Sequence, residues 1–297
     1  MYEEGSDSVS GRILLDHVGF ASRALSPQLE AFRRAGFAPT DPRPLLGHDP
    51  RTGESVPLGQ DSAHLVFEHG YVELTAVPDP ATGNHLEPFL ARYEGLHILA
   101  LHADDLSGVH ARLAAAGWPV TAIAPAQRAI EYGDHHGTAR FEWFMVAPEA
   151  VDAGLVCVMR GLTPELVYQP AVQSHPNTAR ALREVVIATG ALARTASLYE
   201  AITGARPVKV DDSLVFALGD DRVRLVSTSA LPPEYHAAAP GGEPGLVGVT
   251  IEVDSLPAAA RALSAAGLQP TVLAGDLVID PGDAVGAALR LAAPTAR

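Results

Sequence analysis

One short unit recurs four times along the chain, and that repetition limits what the chain can fold into more than any other feature. The first copy opens on the strand-like run Leu15-Asp16-His17-Val18-Gly19-Phe20-Ala21. A helical stretch from Pro27 to Ala35 follows, with Leu29 and Phe32 on one face and Gly36 as its stop. Beyond a Pro- and Gly-rich loop at residues 41–61, two strands, Ala63 to Glu68 and Tyr71 to Val77, close the unit. The second copy has Gly95 to Leu101, a helix from Leu106 to Gly117, then strands Arg140 to Val146 and Leu155 to Met159. Arg183 to Ala188 begins the third, whose helix Ala191 to Thr203 stops at Gly204 before strands Ser213 to Leu218 and Arg222 to Ser227. The fourth runs from Gly245 through a helix at Ala258 to Ala266 and ends on Ala287 to Ala292.

A four-stranded sheet with one helix leaves a face bare, so two units are expected to pair. The expected fold is α+β: four βαβββ modules paired into two open, cup-like β-barrels with helices outside. The expected boundaries are a tail at 1–12, a first barrel at 13–163, a proline-bearing linker at 164–180 and a second barrel at 181–297.

A net charge of −14, with arginines scattered singly, disfavours nucleic acid as a partner. The acidic, polar start is unlike a signal peptide and no apolar run reaches membrane-helix length, so a cytoplasmic, membrane-free protein is expected, as monomer or homodimer. The single cysteine, Cys157, excludes an intrachain disulfide.

Strand alternation puts every second side chain on one face. His17 shares its face with Gly19 and Ala21, Glu73 with Tyr71 and Thr75, and His97 with Leu99 and Leu101. Superposing the repeats places His17 and His97 at equivalent positions, pointing at a common axis where Glu73 joins them. Two imidazoles and a carboxylate suit Fe(II), Mn(II), Zn(II) or Ni(II). The fourth symmetric position falls on or near Cys157, and the second barrel carries Glu184, Arg224, Val247 and about Arg290 at the corresponding places, which is no ligand set. Tyr71 is a candidate substrate contact. Arg140 and Glu142 share a strand face that either lines the pocket, with Arg140 binding substrate and Glu142 moving a proton, or forms a surface ion pair.

The runs Leu15-Asp16-His17-Val18-Gly19-Phe20, Tyr71-Val72-Glu73-Leu74, Leu101-His102-Ala103-Asp104-Asp105-Leu106 and Ser174-His175-Pro176-Asn177 resemble the glyoxalase-like branch of the vicinal oxygen chelate superfamily. The resemblance covers nearly the whole chain from about residue 14. It implies metal ligands on the opening and closing strands of paired modules, here His17, Glu73 and His97, although the family's usual carboxylate in the second module is missing. It implies an enzyme of lyase or isomerase type, or an Fe(II) dioxygenase, acting on a small oxygenated molecule chelated at a divalent metal. The alternative is a non-catalytic binding or drug-sequestering protein of the same fold. A third reading makes the second barrel the binding unit, with Arg224 and Arg290 meeting an anion.

Overall fold

The structure, a computed structural model, describes residues 11–48, 52, 55–80 and 83–294. Most of the tail expected at 1–12 therefore lies outside the described residues. The first half contains β1 (Ile13–Ser22), α1 (Leu25–Arg34), β2 (Arg43–His48), β3 (Ser55–Val66), β4 (Tyr71–Ala76) and the short α2 (Glu87–Leu90). Then come β5 (Gly95–Ala103), α3 (Leu106–Ala115), β6 (Ala124–Ile130), β7 (Gly137–Met145) and β8 (Leu155–Gly161). After α4 (Pro164–Val167), the second half has β9 (Ala179–Thr189), α5 (Leu192–Thr203), β10 (Val208–Val210), β11 (Ser213–Leu218) and β12 (Asp221–Ser227). It finishes with β13 (Gly245–Val253), α6 (Leu256–Ala265), β14 (Thr271–Leu273), β15 (Asp276–Ile279) and β16 (Ala288–Ala292). No helix among the described residues is long and apolar enough to cross a membrane.

The architecture is mixed α+β and rich in strands. In place of two open cups, the first eight strands form a closed barrel in the order β1-β4-β3-β2-β6-β7-β8-β5. The segment expected to be a loop supplies the difference. β2 and the first part of β3 pair within it, from Arg43↔Ser62 to His48↔Ser55, and Leu46 then meets Gln127 of β6 to complete the ring. The second sheet, β10-β11-β12-β9-β13-β16-β15-β14, stays open. Its outer strands, β10 and β14, are three residues each and too short to reach one another.

Packing follows the sequence pattern. On α1, Leu29 and Phe32 are buried, and Phe20 meets the Phe32 ring edge-on at 5.0 Å between centroids. Gly36 follows that helix at φ +80°, and a Cβ there would come within 2.9 Å of Asn177. Glycine thus serves both the left-handed turn and a close approach of the connector. Asn177 donates from its amide to the Ala35 carbonyl (2.9 Å). His175 accepts from the Ala38 amide at Nδ1 (3.1 Å), so its Nε2–H donates to the Val66 carbonyl (2.9 Å). The connector is therefore bound to the first barrel, and one apolar core runs on through both sheets, from Ile13 and Leu15 to Leu289 and Leu291.

The concave face of the second sheet is filled from within. Glu184 accepts from Arg222 and Arg224, Arg224 also reaches Ser213, and Arg290 donates to Asp276 (2.8 Å). A 3-10 segment, Pro233–Ala238, lays Tyr235 among Val186, Val226, Val247 and Ala288. Arg224 and Arg290, the candidate anion site of the second barrel, thus already have carboxylate partners.

Candidate functional site

The interior of the closed barrel holds a cavity of about 760 Å³. Its chemistry begins where β1 and β4 run side by side. β1 bulges between Leu15 and His17, leaving Asp16 as the extra residue. The Asp16 carboxylate accepts from His17 Nδ1 at 2.7 Å. That partner holds Nδ1, and Nε2 is the nitrogen turned toward Glu73. On β4, Tyr71 is registered with His17 and Glu73 with Gly19. The Tyr71 ring stacks on the imidazole with centroids 4.3 Å apart and planes 16° from parallel. Glu73 brings Oε2 to 3.9 Å from His17 Nε2, while its Oε1 accepts from the Ser62 hydroxyl at 2.7 Å.

A second polar group lies on the neighbouring wall. His64 on β3 pairs in register with Glu73, and Arg128 on β6 donates from Nη1 to its imidazole. The Arg128 guanidinium carbon also stands 5.3 Å from the Tyr71 ring centroid. Burial, with Arg128 and His17 adding to it, pushes His64 well below its usual range, so this imidazole is neutral. Burial likewise raises the phenols of Tyr71 and Tyr168 well above 10, keeping both as neutral hydroxyls. Much of the remaining wall is apolar, made by Ile98, Phe141, Trp143, Met145 and Met159, with Cys157 among them, while Gln60 and His85 add polar groups. Burial first, then Asp16 and Glu73, raise the Cys157 thiol, so it stands there as a thiol and not a thiolate.

Of the residues singled out from sequence, the structure brings His17, Glu73 and Tyr71 together at one end of the cavity. It does not bring His97 there. β5 bulges between Leu96 and Ile98, and His97 is the extra residue. Its ring is fully buried against Tyr93, 4.2 Å between centroids, and its Nε2 meets the Tyr93 carbonyl at 2.7 Å. The β1–β5 pairings are symmetric: Leu15 faces Leu101 as Leu96 faces Phe20, and His17 faces Ala100 as Ile98 faces Gly19. The counterpart of His17 is therefore Ile98, one residue on, because a one-residue register change moves a side chain to the opposite face. Cys157 does hold the counterpart of Glu73, through Ala100↔Cys157 beside Gly19↔Glu73.

On β7 the pocket-lining alternative for Arg140 and Glu142 does not hold, since the strand turns its other face inward. Phe141, Trp143 and Met145 line the cavity, whereas Glu142 points outward and is bound by Arg160 at 2.6 Å. Arg140 is exposed and reaches the cavity only at its rim. Sequence reasoning missed Asp16, Ser62, His64 and Arg128. The alternation Ala124, Ala126, Arg128 was the available signal, since it sets an arginine on a face of otherwise small side chains.

The donors do not fit a resident divalent ion. Of the four symmetric strand positions, His17 and Glu73 are ligands by type, Ile98 has no donor, and Cys157 is a protonated thiol. Among the described residues no three His, Cys, Asp or Glu side chains converge on one point. Glu73 is moreover already bound by Ser62, and a guanidinium shares the wall.

Residues 15–203 match the model of a glyoxalase-like domain. No curated protein sequence matches the chain. Several solved structures share its fold. A hypothetical protein from Staphylococcus aureus is 12% identical, over 95% of this chain and 100% of that one, with a TM-score of 0.63. A mutant of 4-hydroxymandelate synthase from Streptomyces coelicolor is 15% identical over 97% and 94%, with a TM-score of 0.61. The Mn(II)-bound glyoxalase from Novosphingobium aromaticivorans is 14% identical over 96% and 83%, with a TM-score of 0.56. At such identities the likeness is one of fold.

Proposed function

We propose, for a chain that belongs to the glyoxalase-like domain family, that the first barrel binds a small oxygenated organic molecule and moves a proton on it with His17 and Glu73, using no resident metal ion. The reading assigns the chemistry to residues 13–163 and leaves 181–297 as support. The observation that carries it is the line Asp16, His17, Glu73: a carboxylate on Nδ1 at 2.7 Å and a second carboxylate 3.9 Å from Nε2, at the end of a mainly apolar cavity.

In this arrangement His17 Nε2 is the base. It takes a proton from a carbon next to a carbonyl, and the resulting imidazolium lies between Asp16 and Glu73, whose charges stabilise it. The same nitrogen then returns the proton to another atom of the substrate, which is isomerase-type chemistry; if a leaving group departs instead, the outcome is lyase-type. Ser62 holds Glu73 in place, and the Tyr71 ring fixes the plane of the imidazole. Dioxygenase chemistry at Fe(II) would need a third protein donor that the described residues do not bring to this point.

The rival reading, a binder without catalysis, is favoured by the apolar wall of Ile98, Phe141, Trp143 and Met145. Deuterium incorporation into a panel of carbon acids (α-keto acids, 1,3-diketones and β-keto esters) in D₂O, followed by NMR, separates the two. The expected result is exchange that survives chelator treatment and falls by about a hundredfold or more in His17→Gln. Exchange that vanishes with the chelator returns on added metal would sink the metal-free mechanism. Binding without any exchange would establish the binder.

A further inference from the structure

We infer that the molecule held in the first barrel carries a carboxylate, or an equivalent planar oxyanion, and that Arg128 is the residue that receives it. The inference rests on the first barrel being a small-molecule site, and it names the class of molecule.

Arg128 is only 7% exposed, yet among the described residues no carboxylate lies within ion-pair distance of it, and Glu73 acts on its charge only from farther off. Its hydrogen-bond partner is the neutral imidazole of His64, and the face of Tyr71 lies beside it. Neither removes the charge, and a guanidinium does not lose its proton. Burying an unpaired cation is costly, so such groups normally have a counter-charge. Three other part-buried arginines do have one: Arg183 is bound to Asp221 and Glu252, Arg224 to Glu184, and Arg290 to Asp276. The two carboxylates nearest the cavity floor are engaged elsewhere, Asp16 by His17 and Glu73 by Ser62. The missing counter-charge is thus left for the ligand to bring.

The shape of the group fits this role. The planar fork of a guanidinium matches a carboxylate through two parallel N–H···O bonds. The cavity volume, about 760 Å³, is of the size that takes a ring-bearing molecule, whose body would lie on Ile98, Phe141, Trp143 and Met145. The reacting carbon would then stand between the anchor at Arg128 and the base at His17.

Calorimetric titration with phenylacetate, its methyl ester and 2-phenylethylamine tests the inference, with benzyl phosphate as a second anion. The acid is expected to bind about tenfold or more tightly than the ester and the amine. Arg128→Gln should abolish that preference, and Arg128→Lys should keep part of it. Equal affinity for acid and ester in the wild-type protein would overturn the inference. So would an Arg128→Gln protein, folded by circular dichroism, that still prefers the acid. A preference for benzyl phosphate over phenylacetate would overturn the carboxylate assignment. If Arg128→Gln does not fold, the wild-type comparison of acid with ester decides alone. Acid preference without deuterium exchange would leave this inference standing and remove the catalytic reading; exchange without acid preference would do the reverse.

Discussion

Ile98 lies directly over Gly19: a Cβ placed on Gly19 would come to 2.6 Å from the Ile98 Cδ1 atom. The glycine beside His17 is thus the space into which the opposite strand's branched side chain fits. An apolar group thus holds the symmetric counterpart of the His17 position, on the strand paired with it.

That placement makes Ile98→His a direct test of the register. The new imidazole would stand on the cavity side with His17 and Glu73, completing three donors. Divalent zinc, nickel or manganese is expected to bind at least about tenfold more tightly than to the wild-type protein, by calorimetry. His97→Ala should leave metal affinity unaltered. A tighter wild-type site that His97→Ala destroys would show that His97, and not Ile98, faces the cavity.

His97 should instead report on stability. Burial chiefly, against a smaller opposing effect of the Tyr93 carbonyl, lowers its pKa to about 4. In the unfolded chain the imidazole protonates near 6.5, so between about 6.5 and 4 the unfolded state binds more protons and stability rises with pH. The contribution is complete above about 6.5 and is lost on acidification, by at most about 3 kcal/mol. Urea midpoints at pH 7.5 and 5.0 should therefore differ less for His97→Gln than for the wild type. A variant with the same pH slope would show that His97 titrates normally.

How far the sequence is legible is clear from these two neighbours. The sequence pattern exposes the order of strands and helices along the chain and places Cys157 at or near the counterpart of Glu73, because hydrophobic alternation and helix stops are local signals. It does not expose bulges at Asp16 and His97, since one added residue leaves the alternation intact on either side while reversing faces across it. Glu142 is a different case: β7 pairs without a bulge, so alternation groups its side chains correctly, but which of the two faces turns inward is set by the barrel and not by the strand. The closure of the barrel is hidden for a different reason: proline and glycine at 41–61 favour turns, and tertiary pairing with β6 overrides that preference.

The filled second cup offers a double-mutant cycle. A Cβ on Gly248 would lie 2.5 Å from a ring carbon of Tyr235. Gly248→Ala is expected to destabilise by about 1–3 kcal/mol through overpacking, and Tyr235→Ala by about 3–5 kcal/mol through the cavity it leaves. With the ring removed, the added methyl has room, so the double variant should be more stable than the sum of the two changes predicts. Additive losses in urea denaturation would mean that the two residues do not touch.

Cys157 should be a slow thiol. It is buried, and its protonated form is favoured by burial and by Asp16 and Glu73. Reaction with a disulfide reagent at pH 8 is expected to be at least about a hundredfold slower in the folded protein than in urea. A cavity ligand should slow it further. Rapid native labelling would show that the β8 wall is open to solvent.

The shared core makes the two halves one mechanical body. Leu182, Val185, Val249 and Leu289 sit far from His17 in the chain, yet they belong to the same buried cluster as Leu15, Val18 and Leu99. Truncating any of them should therefore depress cellular abundance and measured turnover together, with the per-molecule rate of the surviving folded fraction unchanged. A survey that scores activity alone would credit those sites with chemistry; normalising to folded protein would take that credit away.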